Sequence, residues 1–401
     1  MINRRIGAAL ALALCVTFAS GAVAHSQPVD PPPPQAPGAE TLPPLPDSIL
    51  PESEAPPTDD DSNTIVVQKP AVEITDPAEA QRRGDQVLQA NAEQNPSARA
   101  DPVNQGCTND RFNSCKIYIG PVEVYTRFEG VTSFTGSYDV YMTLTTRSEV
   151  NNVKSTIRLT TWATVTRGVP PVGTFRFALA AQRWNKLDPY TFPDVFSNVL
   201  APNSTGSKQW SDWSPVTTVS IGASTYIYQW EAWVAGAKYE GLLPGPQYTN
   251  QKIRCDNATP VNNGTGCVNS SFEPTVKYYS SAMPYIVDNI RAGQAATGDG
   301  DPATGQLLER EFGDFIKQNR DDACGTTALA RLRKIAATPP PNMTSPSCDE
   351  YPFASTVQGG TGATVAWVPL AENTAQGTLM AQFYRDYRVM PSDGYLVDAT
   401  S

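Results

Sequence analysis

Alternating hydrophobic and polar positions dominate the middle of the chain. Runs such as KIYIGPVEVYTRF, which begins at Lys116, and STIRLTTWATVT, which begins at Ser155, place apolar residues at every second position. They are rich in β-branched and aromatic residues and are separated by Gly, Pro and Asn clusters, which is typical of half-buried strands. Their number and length predict an all-β domain over residues 105–280, with a sandwich or jelly-roll architecture.

The pattern changes after residue 282. Helical periodicity appears in YIVDNIRAGQAATG from Tyr285, in QLLEREFGDFIKQNRDDAC from Gln306 and in GTLMAQFYRDYRVM from Gly377. Strands are predicted at TGATVAWVPLAE from Thr361 and at GYLVDAT from Gly394. Helices and strands that interleave at short range predict a small α+β domain over residues 282–401. With the all-β domain before it, the protein is expected to be α+β overall.

The first 24 residues have the features of an export signal. Arg4 and Arg5 precede a short apolar run, and Ala22-Val23-Ala24 is a small-x-small cleavage sequence. The apolar run is too short to span a bilayer. We therefore expect a secreted, extracellular protein without stable membrane association; a periplasmic location would fit the same signal.

Residues 25–104 are rich in proline and polar side chains. Such a segment buries too little apolar surface to fold by itself, so it is predicted to be a disordered linker. Residues 77–97 within it could form one short polar helix.

Six cysteines follow the signal segment, and an even number in an exported chain predicts disulfide bonds. Proximity along the chain favours the pairs Cys107–Cys115, Cys255–Cys267 and Cys324–Cys348. A zinc site is the competing interpretation, but the chain has no CxxC pair and no histidine near these cysteines.

Charge and histidine content restrict the chemistry. The net charge of −10 argues against a broad basic surface for nucleic acid. It remains compatible with a nuclease that contacts phosphate through a carboxylate-held metal ion. The single histidine, His25, lies at the predicted cleavage site. Ser-His-Asp and Cys-His hydrolases and HExxH metalloproteases are therefore excluded, and hydrolysis would have to use carboxylates, amides, hydroxyls and metal-bound water.

The segment CDEYPFAST, from Cys348 to Thr356, is the densest group of chemically reactive side chains. Asp349 and Glu350 are adjacent carboxylates between a predicted disulfide and a Tyr-Pro turn. Their chemistry alone leaves two interpretations open, a turn capped by Asp349 and an active site.

Four segments carry a family resemblance. They are CDEYPFAST, the QGG that follows Val357, VPLAENTAQG from Val368 and the FYR at Phe383. Together they resemble the core of the NucA/NucB deoxyribonucleases. The resemblance covers about residues 282–398 and does not extend to residues 25–280. It implies a metal-dependent, largely sequence-nonspecific endonuclease related to the ββα-metal nucleases. DNA would be its substrate, with RNA as an alternative.

The resemblance also implies roles for individual residues. Glu350 is the first choice for an active-site carboxylate, with Asp349 beside it. Glu350, Asn373 and Glu372 would hold the divalent ion, Mg²⁺ or Mn²⁺. Gln376 is expected to contact substrate.

Upstream, Leu308-Glu309-Arg310 takes the place of the family's Ile-Asp-Arg segment, so Glu309 would be the general base and Arg310 would bind phosphate. The alternative is that both are ordinary charges on a helix surface. Arg320 is expected to contact phosphate or to pair with a carboxylate near Cys324. Gln358 stands where family members often have glutamate.

Three functions follow from these observations. The first is a secreted nuclease that degrades DNA. The second is a non-catalytic extracellular binding or structural protein, favoured by Gln358 and by the acidic charge, in which the β domain is the working part. The third is a secreted antibacterial nuclease toxin, whose partner would be an inhibitor protein. The sequence does not identify a partner for the β domain.

Overall fold

The computed structural model describes residues 45–50, 63–76, 78–79, 82–83, 107–183, 190–191, 195–213, 221–234, 236–240, 245–257, 264–327, 330, 335 and 338–400. The predicted signal segment 1–24, much of the predicted linker and most of the predicted helix 77–97 lie outside the described residues.

Eighteen strands are defined within the described residues: β1 Thr64–Gln68, β2 Val72–Ile74, β3 Asn113–Phe128, β4 Val131–Ser148, β5 Lys154–Gly168, β6 Gly173–Arg183, β7 Tyr190–Thr191, β8 Phe196–Leu200, β9 Thr205–Trp213, β10 Ile221–Trp233, β11 Lys238–Tyr239, β12 Gln247–Asn257, β13 Thr265–Asn269, β14 Thr275–Tyr279, β15 Leu308–Glu309, β16 Pro346–Tyr351, β17 Thr364–Pro369 and β18 Gly394–Thr400. The helices with defined bounds are α1 Pro284–Thr297, α2 Asp314–Cys324 and α3 Leu370–Asp386.

Two sheets form the β-rich region that precedes β14. The first has the order β11-β1-β3-β4-β5-β9, with β2 also paired to β3. The second has the order β13-β12-β10-β6-β7, with β8 also paired to β6. Side chains of both sheets meet in one apolar core, where the rings of Tyr118 and Tyr228 lie 4.7 Å apart. The sheets thus pack face to face, and the region is β-rich as predicted.

Strand alternation explains which side chains enter this core. On β4, Tyr138, Val140, Met142 and Leu144 are all buried, whereas Arg147 is exposed. Successive side chains of a strand point to opposite faces, so every second position faces the core. The burial of these side chains is the main stabilising contribution of the region.

The prediction of an α+β protein overall is wrong. The part of the chain that the structure describes is mostly β. Long strands cause the difference, since β3 and β4 alone contain 16 and 18 residues. Strands also occur inside the segment predicted as linker, where β1 pairs with β3 and the Gln68 side chain donates a hydrogen bond to the Trp230 carbonyl at 2.9 Å.

The C-terminal region has its own core. In a small sheet, β18 pairs in parallel with β14 and antiparallel with β15, and β16 and β17 form a separate antiparallel hairpin. Ile286 and Ile290 of α1 and Phe383 of α3 pack in this core with Tyr351. The helices predicted over 285–298 and around 377–390 are present as α1 and α3.

The second predicted helix needs a correction. The helix was predicted from Gln306, but residues 308–309 form β15 and α2 begins only at Asp314. Leu308 and Arg310 are buried and Glu309 is exposed, which is the two-residue period of a strand. Gly313, with a φ of 71°, separates the strand from the helix.

The three predicted cysteine pairs, Cys107–Cys115, Cys255–Cys267 and Cys324–Cys348, are present as disulfides. The third joins the last residue of α2 to β16. It therefore fixes one end of α2 against the hairpin.

A buried charge network joins the two regions. Asp393, just before β18, accepts hydrogen bonds from Arg254 and, at 2.6 Å, from Arg111. Burial alone would raise the pKa of Asp393, but Arg254 and Arg111 hold this pKa below its ordinary value. The fully buried Arg388 pairs with Asp256 in the same way. Buried charges need such partners, so the turn before β18 is held firmly against the β-rich region.

Candidate active site

The β16–β17 hairpin separates the two adjacent carboxylates. Asp349 lies opposite Ala366 and Glu350 lies opposite Val365 in the register of the hairpin. Because neighbouring side chains of a strand point to opposite faces, the carboxylates diverge. Asp349 faces α1 and α3, and Glu350 faces α2.

Asp349 lies inside the core. Its side chain is 2% exposed, and its Oδ2 accepts a hydrogen bond from Asn289 Nδ2 at 2.8 Å. Burial raises the pKa of Asp349 to about 6, although the hydrogen bond from Asn289 and the nearby amide of Gln376 act in the opposite direction. This placement does not suit the predicted catalytic contact with a substrate, and it makes Asp349 a polar anchor between two helices and the hairpin.

Glu350 is only partly buried. Burial and, second, the charge of Asp349 raise the pKa of Glu350 to about 7, whereas Arg320 and the backbone of Ala354 lower it. Its Oε2 lies 3.3 Å from the Sγ of Cys324, which has no hydrogen to donate because it is in a disulfide. A carboxyl group with a pKa near neutrality is suited to acid–base work at physiological pH.

Arg320 is the exposed cation beside Glu350. It lies four residues before Cys324 in α2, so both residues occupy the same helix face. The Cys324–Cys348 disulfide holds that face against β16. An exposed guanidinium next to a carboxylate can bind an anionic oxygen of a substrate while the carboxylate acts on a neighbouring group.

Glu309 is placed beside Gln358. The Glu309 carboxylate is exposed, and its backbone N–H donates to Gln358 Oε1 at 3.0 Å. Gln358 Nε2 donates to the Leu307 carbonyl at 3.4 Å. The Gln358 amide therefore continues the pairing of β15 as both donor and acceptor. Within the described residues, no direct contact joins Glu309 to Glu350.

The segment between β16 and β17 links these two places. Asn319 of α2 donates hydrogen bonds to the carbonyls of Ala354 at 3.1 Å and Thr356 at 2.9 Å. Gly359 follows closely, and a Cβ there would lie 2.5 Å from the Phe353 carbonyl oxygen. Sequence patterns assigned no positioning role to Asn319.

Arg310 is not available for phosphate. It is 8% exposed, donates a hydrogen bond to the Val389 carbonyl, and its guanidinium lies 4.3 Å above the Tyr384 ring. Burial lowers the pKa of Arg310, and Tyr384 acts in the opposite direction. The predicted phosphate contact is therefore replaced by a cation–π brace in the core.

The residues of α3 predicted as ligands or substrate contacts hold the fold together. Glu372 Oε2 accepts hydrogen bonds from the backbone N–H groups of Tyr285 at 3.0 Å and Ile286 at 3.3 Å, which satisfies donors at the start of α1. Asn373 Nδ2 donates to Ser347 Oγ and to the Cys348 carbonyl, both at 3.0 Å. Gln376 is buried at the Asp349 face and is not placed for substrate contact.

Glu350, Asn373 and Glu372 thus do not converge on one point. Among the residues that the structure describes, no three His, Cys, Asp or Glu side chains are grouped so that they could hold a metal ion. Mg²⁺, however, is often bound by one or two carboxylates together with substrate phosphate and water. The partly exposed Glu350 beside Arg320 fits this simpler arrangement.

Comparison with known proteins finds a family match in the C-terminal region. The family model described as deoxyribonuclease NucA/NucB matches residues 303–398, a range that includes both Glu309 and Glu350. No curated protein matches the chain. Within the described residues, no helix has both the length and the apolar character needed to cross a membrane. Residues 303–398 in the C-terminal region of this chain thus match the NucA/NucB deoxyribonuclease domain.

Proposed function

We propose that the protein is a secreted, metal-dependent and largely sequence-nonspecific endonuclease that hydrolyses phosphodiester bonds of DNA. The observation that carries this proposal is the placement of Glu350, whose pKa is raised to about 7, near the exposed cation Arg320 within the residues that match the deoxyribonuclease family. The three disulfides support an oxidising, extracellular location.

In the proposed mechanism, Arg320 binds a non-bridging oxygen of the scissile phosphate. Glu350 acts in its charged form and would hold Mg²⁺ or Mn²⁺ together with phosphate and water. When bound, such an ion stabilises the charge that develops on the phosphate and makes water a better nucleophile. Glu309 keeps its proposed role as general base because its carboxylate is exposed beside the same loop.

The protonation of Glu350 sets the expected pH dependence. With a pKa of about 7, Glu350 is mostly neutral below neutral pH and mostly charged above it. The charged form is needed to bind a cation. Cleavage should therefore fall about tenfold for each pH unit below 7 and level off above it.

The test is cleavage of supercoiled plasmid by the purified mature chain in Mg²⁺, in Mn²⁺ and in EDTA, across pH 5 to 9. We expect nicking with either metal, none in EDTA, and the acid limb described above. Cleavage that persists in EDTA would refute metal dependence. An RNA substrate in parallel reactions measures the preference between the two nucleic acids.

One observation favours the non-catalytic alternative. Gln358 makes hydrogen bonds to the backbone of Leu307 and Glu309, so the position that often holds glutamate in the resembled family has a structural role here. A protein that unfolds cooperatively but cuts no nucleic acid with any metal would support that alternative.

A further inference from the structure

A polar surface lies on the outer face of the first sheet, at the end where β3 begins and β4 ends. Arg147 of β4 lies opposite Asn113 of β3 and Thr156 of β5. In the next row, Arg158 of β5 lies between Thr145 of β4 and Gln209 of β9. We call these six residues the Arg147–Arg158 surface. They line an open depression of about 490 Å³.

The two arginines of this surface are exposed diagonal neighbours on one face. Within the described residues, no ion pair joins either of them to a carboxylate, and Glu149, beyond the end of β4, is the only acidic residue in the lining. Diagonal neighbours on a sheet remain within reach of long side chains, so two like charges there repel each other unless something compensates them. Their placement in a chain of net charge −10 therefore points to an anionic partner.

The side chains of the surface suit phosphate groups. Every residue that lines the depression has a polar side chain, so the depression does not suit an apolar ligand. Guanidinium groups bind phosphate oxygens through two parallel hydrogen bonds, and hydroxyl and amide groups commonly add further contacts to a nucleic-acid backbone.

The surface is also connected to the deoxyribonuclease domain. Arg111, two residues before Asn113, donates hydrogen bonds to Asp393 at 2.6 Å and to the Tyr387 carbonyl at 2.9 Å. The Asp393 carbonyl accepts a hydrogen bond from the backbone N–H of Arg310, the residue after Glu309. The end of the sheet that carries the surface is thus fixed against the strand that carries a candidate active-site residue.

We propose that the Arg147–Arg158 surface is a second DNA-binding site, which binds backbone phosphates outside the cleaved segment. The choice of DNA as the anionic polymer rests on the proposed function. The surface gives an acidic protein a local cationic contact with its polyanionic substrate, so that affinity does not depend on the active site alone.

The experiment measures binding without cleavage. Fluorescence anisotropy of a labelled DNA duplex in EDTA is recorded for the full mature chain over a series of salt concentrations. The test variant combines Arg147→Gln with Arg158→Gln. The control combines Arg127→Gln with Arg167→Gln, which removes the same charge near the opposite ends of β3 and β5.

We expect the test variant to reduce the slope of log affinity against log salt by about 2, since each phosphate contact contributes about 0.9 to the slope on duplex DNA. The control should keep the wild-type slope. A double Arg→Lys variant retains the charges and should keep most of the slope. If the double Arg→Gln variant does not melt like wild type, the single Arg158→Gln variant is measured instead. Its slope of log affinity against log salt should still fall by about 1.

Equal slopes for the test and control variants, or no binding of DNA by wild type, would overturn the proposal. So would a test variant that loses affinity for a sulfated polysaccharide but keeps its affinity for DNA. Because EDTA prevents metal-dependent cleavage, the result is independent of catalysis. If wild type leaves plasmid uncut in Mg²⁺ and Mn²⁺ while the test variant shows a reduced salt slope in the binding experiment, the proposed nuclease activity is refuted. The proposed DNA-binding site is then still supported.

Discussion

The two faces of the β16–β17 hairpin carry the same chemical group with different consequences. On one face, Asp349 is enclosed by α1 and α3 and meets amide groups of Asn289 and Gln376. On the other face, Glu350 lies beside the last turn of α2, with a disulfide, the exposed Arg320 and the backbone of Ala354 around it. Two carboxylates that are neighbours in sequence therefore divide into an anchor and a candidate reactive group.

A perturbed pKa does not separate the two roles by itself. Burial raises the pKa of Asp349 to about 6 and the pKa of Glu350 to about 7. The two carboxylates differ in their solvent accessibility and in their neighbouring groups. Neutral amides face Asp349, whereas a solvent-exposed cation faces Glu350. Accessibility beside a cation is thus the better guide to chemistry here.

The largest expected effect comes from replacing each of the two carboxylates, one at a time, by the corresponding amide. Glu350→Gln removes the charged group that would hold the divalent ion and should reduce plasmid cleavage by at least about 10²-fold, since a bound ion contributes several kcal/mol, without changing the thermal melt. Asp349→Asn should keep most of the cleavage activity because Asp349 has no access to substrate. If Glu350→Gln cuts like wild type, or if Asp349→Asn is the inactive variant, the assignment of the two faces is reversed.

The two arginines predicted to bind phosphate should also respond differently. Arg320→Gln removes an exposed cation and should weaken cleavage by roughly 10–100-fold, the value of a charge-assisted hydrogen bond, at an unchanged melting temperature. Arg310→Gln removes a buried brace over Tyr384 and should lower the melting temperature instead. Initial rates over a range of DNA concentrations, together with thermal melts, measure both effects. A normal melt with lost cleavage for Arg310→Gln would return that residue to the active site.

The disulfide behind the Glu350 face has a smaller predicted effect on cleavage. Replacing Cys324 and Cys348 by serine should lower the free energy of unfolding by roughly 3 kcal/mol, because a loop of this length is no longer closed in the unfolded chain. Cleavage should fall only a few-fold, as α2 loses one of its attachments to β16. Urea unfolding of this variant and of a Cys107→Ser/Cys115→Ser control gives the comparison. Unchanged stability would show that the loop is held by other contacts.

Sequence patterns correctly predicted the features that depend on residues close together in the chain. Alternation identified the β-rich region, and proximity identified the three disulfides. The helix predicted from Gln306 was wrong because three alternating residues around Glu309 are too short a signal to detect as a strand. The same alternation shows that Asp349 and Glu350 diverge, but only tertiary packing determines which face the two helices cover.

The arginines illustrate the same limit. Arg310 and Arg320 are both charged residues near acidic ones, and no local pattern shows that Arg310 lies under Tyr384, 74 positions later in the chain. One signal did favour Arg320, since it stands one helical turn before a cysteine whose partner adjoins Asp349 and Glu350.

At the Asp349 face, substitution should change stability with pH and should change cleavage little. The folded-state pKa of about 6 lies above the ordinary value of 3.8, so ionisation of Asp349 opposes folding. Wild type should therefore lose stability as the pH rises from about 4 through 6, because the unfolded chain releases this proton first. Asparagine cannot ionise, and its side-chain oxygen can still accept the hydrogen bond from Asn289.

Asp349→Asn should consequently be more stable than wild type at pH 8, by up to roughly 3 kcal/mol, and no more stable than wild type at pH 4. Loss of the neighbouring charge should also lower the pKa of Glu350 and move the acid limb of cleavage to lower pH. Urea unfolding at the two pH values and a pH–rate profile measure these effects. A variant that is less stable than wild type at pH 8 would mean that the amides around Asp349 stabilise its charged form more than burial opposes it. Asp349 would then be a buried anion held in place, and the contrast between the two faces would rest on access alone.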